Sequence, residues 1–365
     1  MQQSRAIKSF KRLVLAGLLF SLAACAKSAS SNPPRSTLEP ELVRGADLSR
    51  WPEISRANPV FKNRNSQVQA FLDILEAEGL NTVRLKLWHS PNGRTSSFAE
   101  VDSFAQVLKA RGFKIWLSLH YSDTWADPGQ QNPPAAWSGL EFQSLKDSIY
   151  QYTFKLSQHI DCDIIQIGNE INNGFIHPMG NRFNNTEQFK ALLDAASQAV
   201  RDAGSNSQIM LHYAGFEGAK NFFNEIPSDI YDCIGLSYYP KWHGKSLSSL
   251  SLAAEEIIEV FDKDLYIAET AYPFTLDWND WTNNIVGLES QLIPRYPATA
   301  QGQKEFLAEI RAICERNERI KGFCYWGGEL IAWKGDTASN ASPWENQALF
   351  NFDNEALTVL EVFNP

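Results

Sequence analysis

Eight strand-like runs alternate with helical stretches along this chain, and this repetition constrains the fold more than any other feature. The runs are short, apolar and rich in β-branched residues. Such alternation favours a parallel sheet, and eight repeats favour its closure into a (β/α)8 TIM barrel. The predicted strands are Val43–Ser49, Thr82–Trp88, Lys114–Tyr121, Ile164–Glu170, Gln208–Ala214, Ile234–Tyr239, Leu265–Thr270 and Gly322–Trp326.

Amphipathic segments between the strands predict the helices. The connections that lead from helix to strand are mostly short, whereas those after the third, fourth, seventh and eighth strands are long and polar. Elaboration on one face is expected of a barrel whose mouth carries the function, so we predict a single domain with elaborated βα loops. The predicted helices are Ser66–Glu78, Phe98–Arg111, Leu145–His159, Glu187–Asp202, Leu250–Phe261 and Gln303–Arg316.

The start of the chain has the pattern of a secretion signal. A basic stretch with Lys8, Lys11 and Arg12 precedes an apolar run over residues 13–24 that is too short to span a bilayer. The run ends in Leu-Ala-Ala-Cys at Cys25, which resembles a bacterial lipoprotein cleavage site, where the cysteine receives the lipid. A plain secretion signal with an incidental cysteine is the alternative.

These features divide the chain into three parts. We predict a lipoprotein-type signal peptide over residues 1–25, a Ser/Pro-rich linker over residues 26–42 and the barrel over residues 43–365. The protein is then expected to cross the inner membrane of a bacterium and to stay at the outer membrane or cell surface through its lipid. A monomer that contacts the membrane only through this anchor is expected.

Charge excludes some partners. The chain carries 33 basic and 42 acidic residues, a net charge of −9, and loss of the leader removes four basic and no acidic residues, which leaves about −13. Such a domain has no electrostatic attraction for nucleic acid or an acidic glycan, so a neutral polymer is the expected partner. Four cysteines remain without metal-ligand spacing, and we expect buried free thiols rather than disulfides: Cys162, Cys233, Cys314 and Cys324.

Two glutamates end predicted strands, the fourth at Glu170 and the seventh at Glu269. Catalytic groups of barrel enzymes collect at the carboxyl ends of strands, and two carboxylates can cleave a glycosidic bond. We interpret Glu170 as the acid/base, with a raised pKa, and Glu269 as the nucleophile, which must stay ionised. A retaining mechanism predicts that the carboxyl groups lie about 5–5.5 Å apart.

Other strand ends supply groups that suit this chemistry. Arg84 would place positive charge near Glu269, Tyr238 would donate a hydrogen bond to it, and the amide of Asn169 would bind a sugar 2-hydroxyl. Each such residue alone has a structural explanation, such as a cap or an ion pair. Their collection at one layer favours a site, which also includes Asp47, His120 and Trp326.

Tryptophan supports a carbohydrate-binding mouth, because indole faces stack on sugar rings. For any single tryptophan, core packing is the alternative. Nine of the eleven lie in or beside the predicted mouth-side loops: Trp88, Trp125, Trp137, Trp242, Trp278, Trp281, Trp326, Trp333 and Trp344.

Several stretches resemble the endo-β-1,4-galactanases (arabinogalactan endo-β-1,4-galactanases) of glycoside hydrolase family 53, clan A. The most specific is His-Tyr-Ser-Asp-Thr-Trp-Ala-Asp-Pro-Gly-Gln over residues 120–130. The resemblance spans nearly the whole chain after the leader. The other matching stretches are residues 45–49, 83–88, 168–174, 237–244, 269–273 and 344–350.

The resemblance implies retaining endo-hydrolysis of β-1,4-galactosidic bonds in the galactan side chains of pectin, without a cofactor. It assigns the acid/base to Glu170 and the nucleophile to Glu269. Many members have Glu-Pro after the strand-eight Tyr-Trp, whereas this chain has Gly327-Gly328-Glu329, which leaves the subsites open. The substrate-binding residues that we predict are Asp47, Arg84, Trp88, His120, Trp125, Asp127, Asn169, Tyr238, Trp242, Trp326 and Trp344.

Calcium is a further question, because some bacterial members hold this ion between the late barrel loops. Asp277, Asp280 and Asp336 are available there, but they lack the spacing of an EF-hand loop. The residues therefore predict no metal site, and calcium stays open as an alternative that the spacing does not support.

Three other functions stay open on the residues. The same machinery could act on another neutral β-linked polymer, such as xylan or mannan. A non-catalytic glycan-binding lipoprotein would be expected to lack one glutamate or the Asn169-Glu170 pair, and both are present. A metal-dependent hydrolase would need a ligand set such as His-x-His, whereas only His120 and His212 lie near strand ends.

Overall fold

Eight parallel strands close into a barrel in the order of the sequence, in a computed structural model that describes residues 41–365. The first strand pairs with the second and with the eighth, so the sheet has no free edge. This confirms the predicted (β/α)8 fold. The strands are β1 Val43–Asp47, β2 Thr82–Leu87, β3 Lys114–Leu119, β4 Ile164–Ile167, β5 Gln208–Ala214, β6 Cys233–Ser237, β7 Asp264–Thr270 and β8 Ile320–Trp326.

Helices surround the barrel and bury one face against it. In α5, for example, Phe189, Leu192 and Ala196 are buried at helical spacing. Ser97, Ser246 and Thr299 cap three helices by accepting a backbone N–H. The helices within residues 41–365 are α1 Trp51–Ile54, α2 Phe71–Ala77, α3 Phe98–Ala110, α4 Phe142–His159, α5 Thr186–Asp202, α6 Ala219–Asn224, α7 Pro240–His243, α8 Leu247–Phe261 and α9 Ala300–Glu315.

Among the strands, the predicted bounds differ most at the carboxyl ends, and among the helices the predicted Ser66–Glu78 begins five residues later, as α2 Phe71–Ala77. Strand β4 ends at Ile167 because Gly168 and Glu170 take positive φ angles of 74° and 48°, which leave the extended conformation. Helices α1, α6 and α7 were not predicted, because four to six residues are too few to show helical periodicity.

The interior of the barrel is a packed layer below the mouth. It contains a hydrophobic cluster with one or two side chains from seven of the strands, in which Trp116 lies edge-on to Tyr266. All four cysteines of the described residues are buried and free, as predicted. The members of this inner cluster are Val43, Trp116, Ile164, Met210, Cys233, Tyr266, Ala268 and Cys324.

The amino-terminal predictions lie outside the described residues. These are the signal peptide over residues 1–25, the lipidated Cys25 and all but two residues of the linker over residues 26–42. Within residues 41–365, every helix is too short or too polar to cross a membrane.

Candidate active site

Glu170 and Glu269 line the same cleft of about 780 Å³ at the carboxyl ends of the strands. Glu170 follows β4 by three residues, whereas Glu269 lies within β7. The pairing of β7 with β8 shifts register between Ile267 and Thr270. Two successive residues of β7 therefore point into the barrel. Ala268 joins the inner cluster, and the irregularity lets the next residue, Glu269, face the cleft above it.

Most of the predicted substrate-binding residues share this cleft. Trp88 and Tyr238 do not line it. Those that do are Asp47, Arg84, His120, Trp125, Asp127, Asn169, Trp242, Trp326 and Trp344.

Arg84 is the centre of the polar network around Glu269. Its guanidinium is buried, and Nη2 lies 2.8 Å from Glu269 Oε1. Nη1 donates to Asp47 Oδ2 at 2.9 Å, and Nη2 also donates to Asn169 Oδ1 at 2.8 Å. Burial raises the pKa of Glu269, but the Arg84 charge opposes that rise. The predicted placement of Arg84 beside this carboxylate is therefore what the structure shows.

The tyrosine that contacts Glu269 is Tyr239, and the prediction of Tyr238 is wrong. Tyr239 Oη donates to Glu269 Oε2 at 3.0 Å, whereas Tyr238 Oη donates to the backbone oxygen of Gly244 at 2.9 Å. The alternation of side chains along β6 continues beyond its end, so Tyr239 shares the inward face with Cys233 of the inner cluster and with Ser237, which donates to Glu170. Tyr238 is one residue out of phase and packs outside the barrel.

Glu170 lies in an environment that favours its protonated form. Burial, followed by the negative charge of Glu269, raises the pKa of Glu170 to about 8. A hydrogen bond from Ser237 Oγ to Glu170 Oε1, at 2.6 Å, opposes this rise. A carboxyl group that holds its proton near neutral pH can act as a general acid.

A chain of hydrogen bonds behind Glu170 was not predicted. Burial and the Arg84 charge lower the pKa of His212 well below its usual value, so its ring is neutral. Gln166 Nε2 lies 3.0 Å from His212 Nδ1, and His212 Nε2 lies 2.9 Å from Ser237 Oγ. We therefore assign the proton to Nε2, which orients the serine toward Glu170. The signal in the sequence was that Gln166, His212 and Ser237 are polar residues at inward-facing positions of β4, β5 and β6.

Asn169 and His120 present donors to the cleft. Asn169 Nδ2 donates to the oxygen of Ala126 at 2.8 Å, which leaves one amide N–H for a sugar hydroxyl. His120 Nδ1 accepts from the backbone of Ala126 at 3.2 Å, and burial lowers its pKa well below the usual value. A neutral His120 thus carries its proton on Nε2.

The cleft tryptophans form a connected surface. Trp326 lies between Trp125, at 5.9 Å, and Trp344, at 4.5 Å, measured between ring centroids. Trp242 extends the surface beyond Trp344 at 6.2 Å and is half exposed. Trp333 also lines the cleft. Flat apolar faces of this size suit stacking with sugar rings.

Other tryptophans of the predicted set have different positions. Trp88 is buried and meets Trp125 edge-on at 5.5 Å, so it supports the platform rather than forming it. Trp137 packs in the core, and Trp278 and Trp281 are exposed but do not line the cleft.

Metal ligands are sparse in the described part of the chain. Glu345 Oε1 accepts from the backbone N–H groups of Asn279 and Asp280. Glu345 Oε2 and Asp280 Oδ2 are buried without a hydrogen bond. Oxygen atoms of this kind suit Ca²⁺, which takes six to eight of them. Among residues 41–365, however, no three histidine, cysteine, aspartate or glutamate side chains come together as metal ligands.

A closed (β/α)8 barrel that holds a buried and a partly buried glutamate in one tryptophan-lined cleft defines a glycoside hydrolase. Residues 43–363 match the family model of Glycosyl hydrolase family 53, and the chain belongs to this family. The predicted family is thereby confirmed.

Named relatives cover nearly the whole chain. An arabinogalactan endo-β-1,4-galactanase of Cellvibrio japonicus is 30% identical, across 93% of this chain and 93% of its own length. An endo-β-1,4-galactanase of Bacillus subtilis is 29% identical, across 88% of this chain and 85% of its own. Among solved structures, the catalytic domain of family 53 from Ignisphaera aggregans has a TM-score of 0.83 and 35% identity, and it covers 91% of this chain and 98% of its own.

Proposed function

We propose that the protein hydrolyses internal β-1,4-galactosidic bonds of galactan and retains the anomeric configuration. The observation that carries this proposal is the contrast between two glutamates in one cleft. Glu170 has a pKa raised to about 8, whereas Glu269 forms an ion pair with Arg84. The galactanase names of the relatives support the substrate, and the acidic charge of the chain agrees with a neutral polymer.

The reaction proceeds by double displacement. Glu269 attacks the anomeric carbon and forms a covalent bond to it, while the proton of Glu170 passes to the leaving glycosidic oxygen as that bond breaks. A water molecule then attacks the same carbon, gives a proton to Glu170 and releases Glu269 as the carboxylate. The separation of about 5–5.5 Å between the carboxyl groups stays a prediction.

The cleft geometry supports attack within a chain rather than at its end. Tryptophans extend along the cleft from Trp125 to the half-exposed Trp242, so sugars on both sides of the cleaved bond can stack. The side chains of pectin, with or without arabinose branches, are the proposed source of the polymer.

Digestion of potato or lupin galactan tests the proposal. We expect short galacto-oligosaccharides in which the β-anomer appears first by proton NMR, and loss of turnover in Glu269→Gln with an unchanged thermal unfolding midpoint. Xylan, mannan and arabinan serve as comparison polymers. Hydrolysis of one of these without hydrolysis of galactan would refute the substrate, and α-anomers appearing first would refute retention.

We also propose that a lipid on Cys25 anchors the protein to a bacterial membrane. The Leu-Ala-Ala-Cys sequence and the Ser/Pro-rich residues after it support this localisation. In cells, Cys25→Ser should move galactanase activity from the membrane fraction to the soluble fraction. Cys162→Ser, at a buried position of the barrel, should leave the activity with the membrane. Equal soluble activity for the wild type and Cys25→Ser would contradict the anchor.

A further inference from the structure

Lys86 is a cation of the cleft that the reaction steps above do not use. It lies on β2 two residues after Arg84, so both side chains point into the barrel. Lys86 is only 2% exposed, and that small exposure faces the cleft. Within residues 41–365, the Nζ of Lys86 makes no hydrogen bond and no salt bridge, whereas its backbone N–H donates to Ser49 Oγ.

Two indole rings hold the Lys86 ammonium. Its Nζ lies 4.2 Å from the ring centroid of Trp125 and 5.3 Å from that of Trp88. Aromatic faces attract a cation but do not replace the hydrogen bonds that its N–H groups make in water. The N–H donors of Lys86 are therefore available to an oxygen-rich ligand beside Trp125, which lines the same cleft.

The neighbouring acidic groups do not explain the position of Lys86. Asp47 on β1 already accepts from Ser49 N through Oδ1 and from Arg84 through Oδ2. Glu329, after β8, accepts from the backbone of Arg50 at 2.9 Å through Oε1, and its buried Oε2 makes no hydrogen bond, to Lys86 or to any other described residue. An ammonium placed only to balance these carboxylates would be expected to contact one of them.

Burial lowers the pKa of Lys86 to about 8. The charge of Asp47 favours the ammonium, and those of Arg50 and Arg84 oppose it. Glu329 favours the ammonium only where it is ionised, because burial raises its own pKa to about 8. His120, the facing group on β3, is neutral. The side chain is thus charged at neutral pH and loses its proton under mildly alkaline conditions.

We propose that Lys86 binds substrate, by donating charge-assisted hydrogen bonds to hydroxyl oxygens of the sugar stacked on Trp125. The proposal rests on the proposed glycoside hydrolysis, to which it adds a determinant of affinity. Charged donors make stronger hydrogen bonds than neutral ones, and a sugar next to this ammonium would supply the acceptors that the protein does not. Lys86 is not among the main influences on the pKa of Glu170 or of Glu269, so its effect should be on binding.

Replacement by methionine keeps the length of the side chain and removes the charge. We expect Lys86→Met to raise the KM for galactan about tenfold, which corresponds to about 1.4 kcal/mol, with kcat changed by less than about twofold. Lys114→Met is the control, because Lys114 lies at the start of β3, at the opposite end of the barrel. An unchanged KM, or a fall in kcat alone, would overturn the proposal.

A second experiment does not depend on the folding of a Lys86 variant. In Glu170→Gln/Glu329→Gln neither the proton donor nor the other carboxyl group whose pKa is raised to about 8 can titrate, so calorimetric binding of galacto-oligosaccharides between about pH 6 and about pH 10 should report Lys86. We expect Kd to rise above about pH 8, where the ammonium loses its proton. A Kd that stays constant over this range would refute the role.

The two proposals fail in different ways. If the wild type cleaves another β-linked polymer instead of galactan, the galactanase proposal is refuted, and the same Lys86 measurements are made with that polymer. If galactan is cleaved but both Lys86 experiments show no change in affinity, the role of Lys86 alone is refuted.

Discussion

At the scale of single residues, the two glutamates differ in their neighbours rather than in their own chemistry. Burial and the negative charge of Glu269 raise the pKa of Glu170 to about 8, and the single hydroxyl donor from Ser237 only partly opposes this rise. Glu269 has the Arg84 guanidinium at 2.8 Å and the Tyr239 hydroxyl at 3.0 Å, both of which stabilise a carboxylate. Two identical side chains thus divide the roles of acid and nucleophile.

Adjacent tyrosines provide a matched pair of variants. Tyr239→Phe removes the donor to Glu269, so we expect kcat on galactan to fall by about tenfold to about a hundredfold, a range suited to one lost hydrogen bond to a charged group. Tyr238→Phe removes a hydroxyl that donates to Gly244 outside the cleft, and its kcat should stay within about twofold of the wild type. Steady-state kinetics check both, and a larger effect at Tyr238 would contradict the assignment.

Ser237 offers a test through pH. Its hydroxyl stabilises ionised Glu170, so Ser237→Ala should raise the pKa of that group further. The acid form would then persist to higher pH, and the alkaline limb of kcat/KM should move upward from about pH 8. The pH profile of kcat/KM measures this shift. A limb that moves to lower pH would contradict the role of Glu170 as proton donor.

Sequence predicted the site residues that follow from alternation and family resemblance, including Arg84, Asn169 and both glutamates. Tyr239 lies two residues after Ser237 and therefore faces the same side, which the alternation of β6 makes predictable; Tyr238, which we predicted, faces the opposite side. Gln166 and His212 were missed because polar residues inside apolar strands gave no sign of which partner they meet across the barrel.

At the scale of elements, the ends of strands decide which side chains reach the mouth. Strand order and closure were predictable, since they follow from eight repeats. The register shift in β7 that turns Glu269 toward the cleft was not predictable, because a β-bulge depends on the pairing partner. The prediction carried β4 on to Glu170 because nothing in the apolar run showed that Gly168 and Glu170 take positive φ angles.

The close approach of β1 and β8 depends on Gly322. Its φ angle is 145°, and a Cβ atom there would lie 2.0 Å from the backbone oxygen of Val43. We therefore expect Gly322→Ala to lower the free energy of unfolding by more than about 3 kcal/mol, because backbone must move where the barrel closes.

Gly112→Ala is the control for this substitution. Gly112 also has a positive φ angle, of 89°, but a Cβ atom there would contact nothing within 4 Å, so the cost should be about 1–2 kcal/mol. Urea denaturation of the three proteins gives the comparison. Equal losses at both positions would show that the contact with β1 does not matter.

At the scale of the whole molecule, an acidic chain holds a cleft in which Arg84, Asp47 and Glu269 are buried and paired. The chain carries a net charge of −9, whereas beneath the tryptophans the Arg84 guanidinium is paired with both Asp47 and Glu269. At 0.1 M salt, interactions between surface charges more than about 10 Å apart are largely screened, whereas interactions within buried pairs are affected little. Binding of a neutral polymer should then depend on stacking and short hydrogen bonds.

The KM for galactan should therefore change by less than about twofold between about 20 and about 500 mM NaCl. Polygalacturonate, a polyanion from the same plant cell-wall source, is the comparison ligand, and its binding should be weakest at low salt, where the acidic surface repels it most. Initial rates and calorimetry over this range give both results. A KM for galactan that rises steeply with salt would mean that long-range attraction holds the substrate, which an acidic protein and a neutral polymer cannot provide.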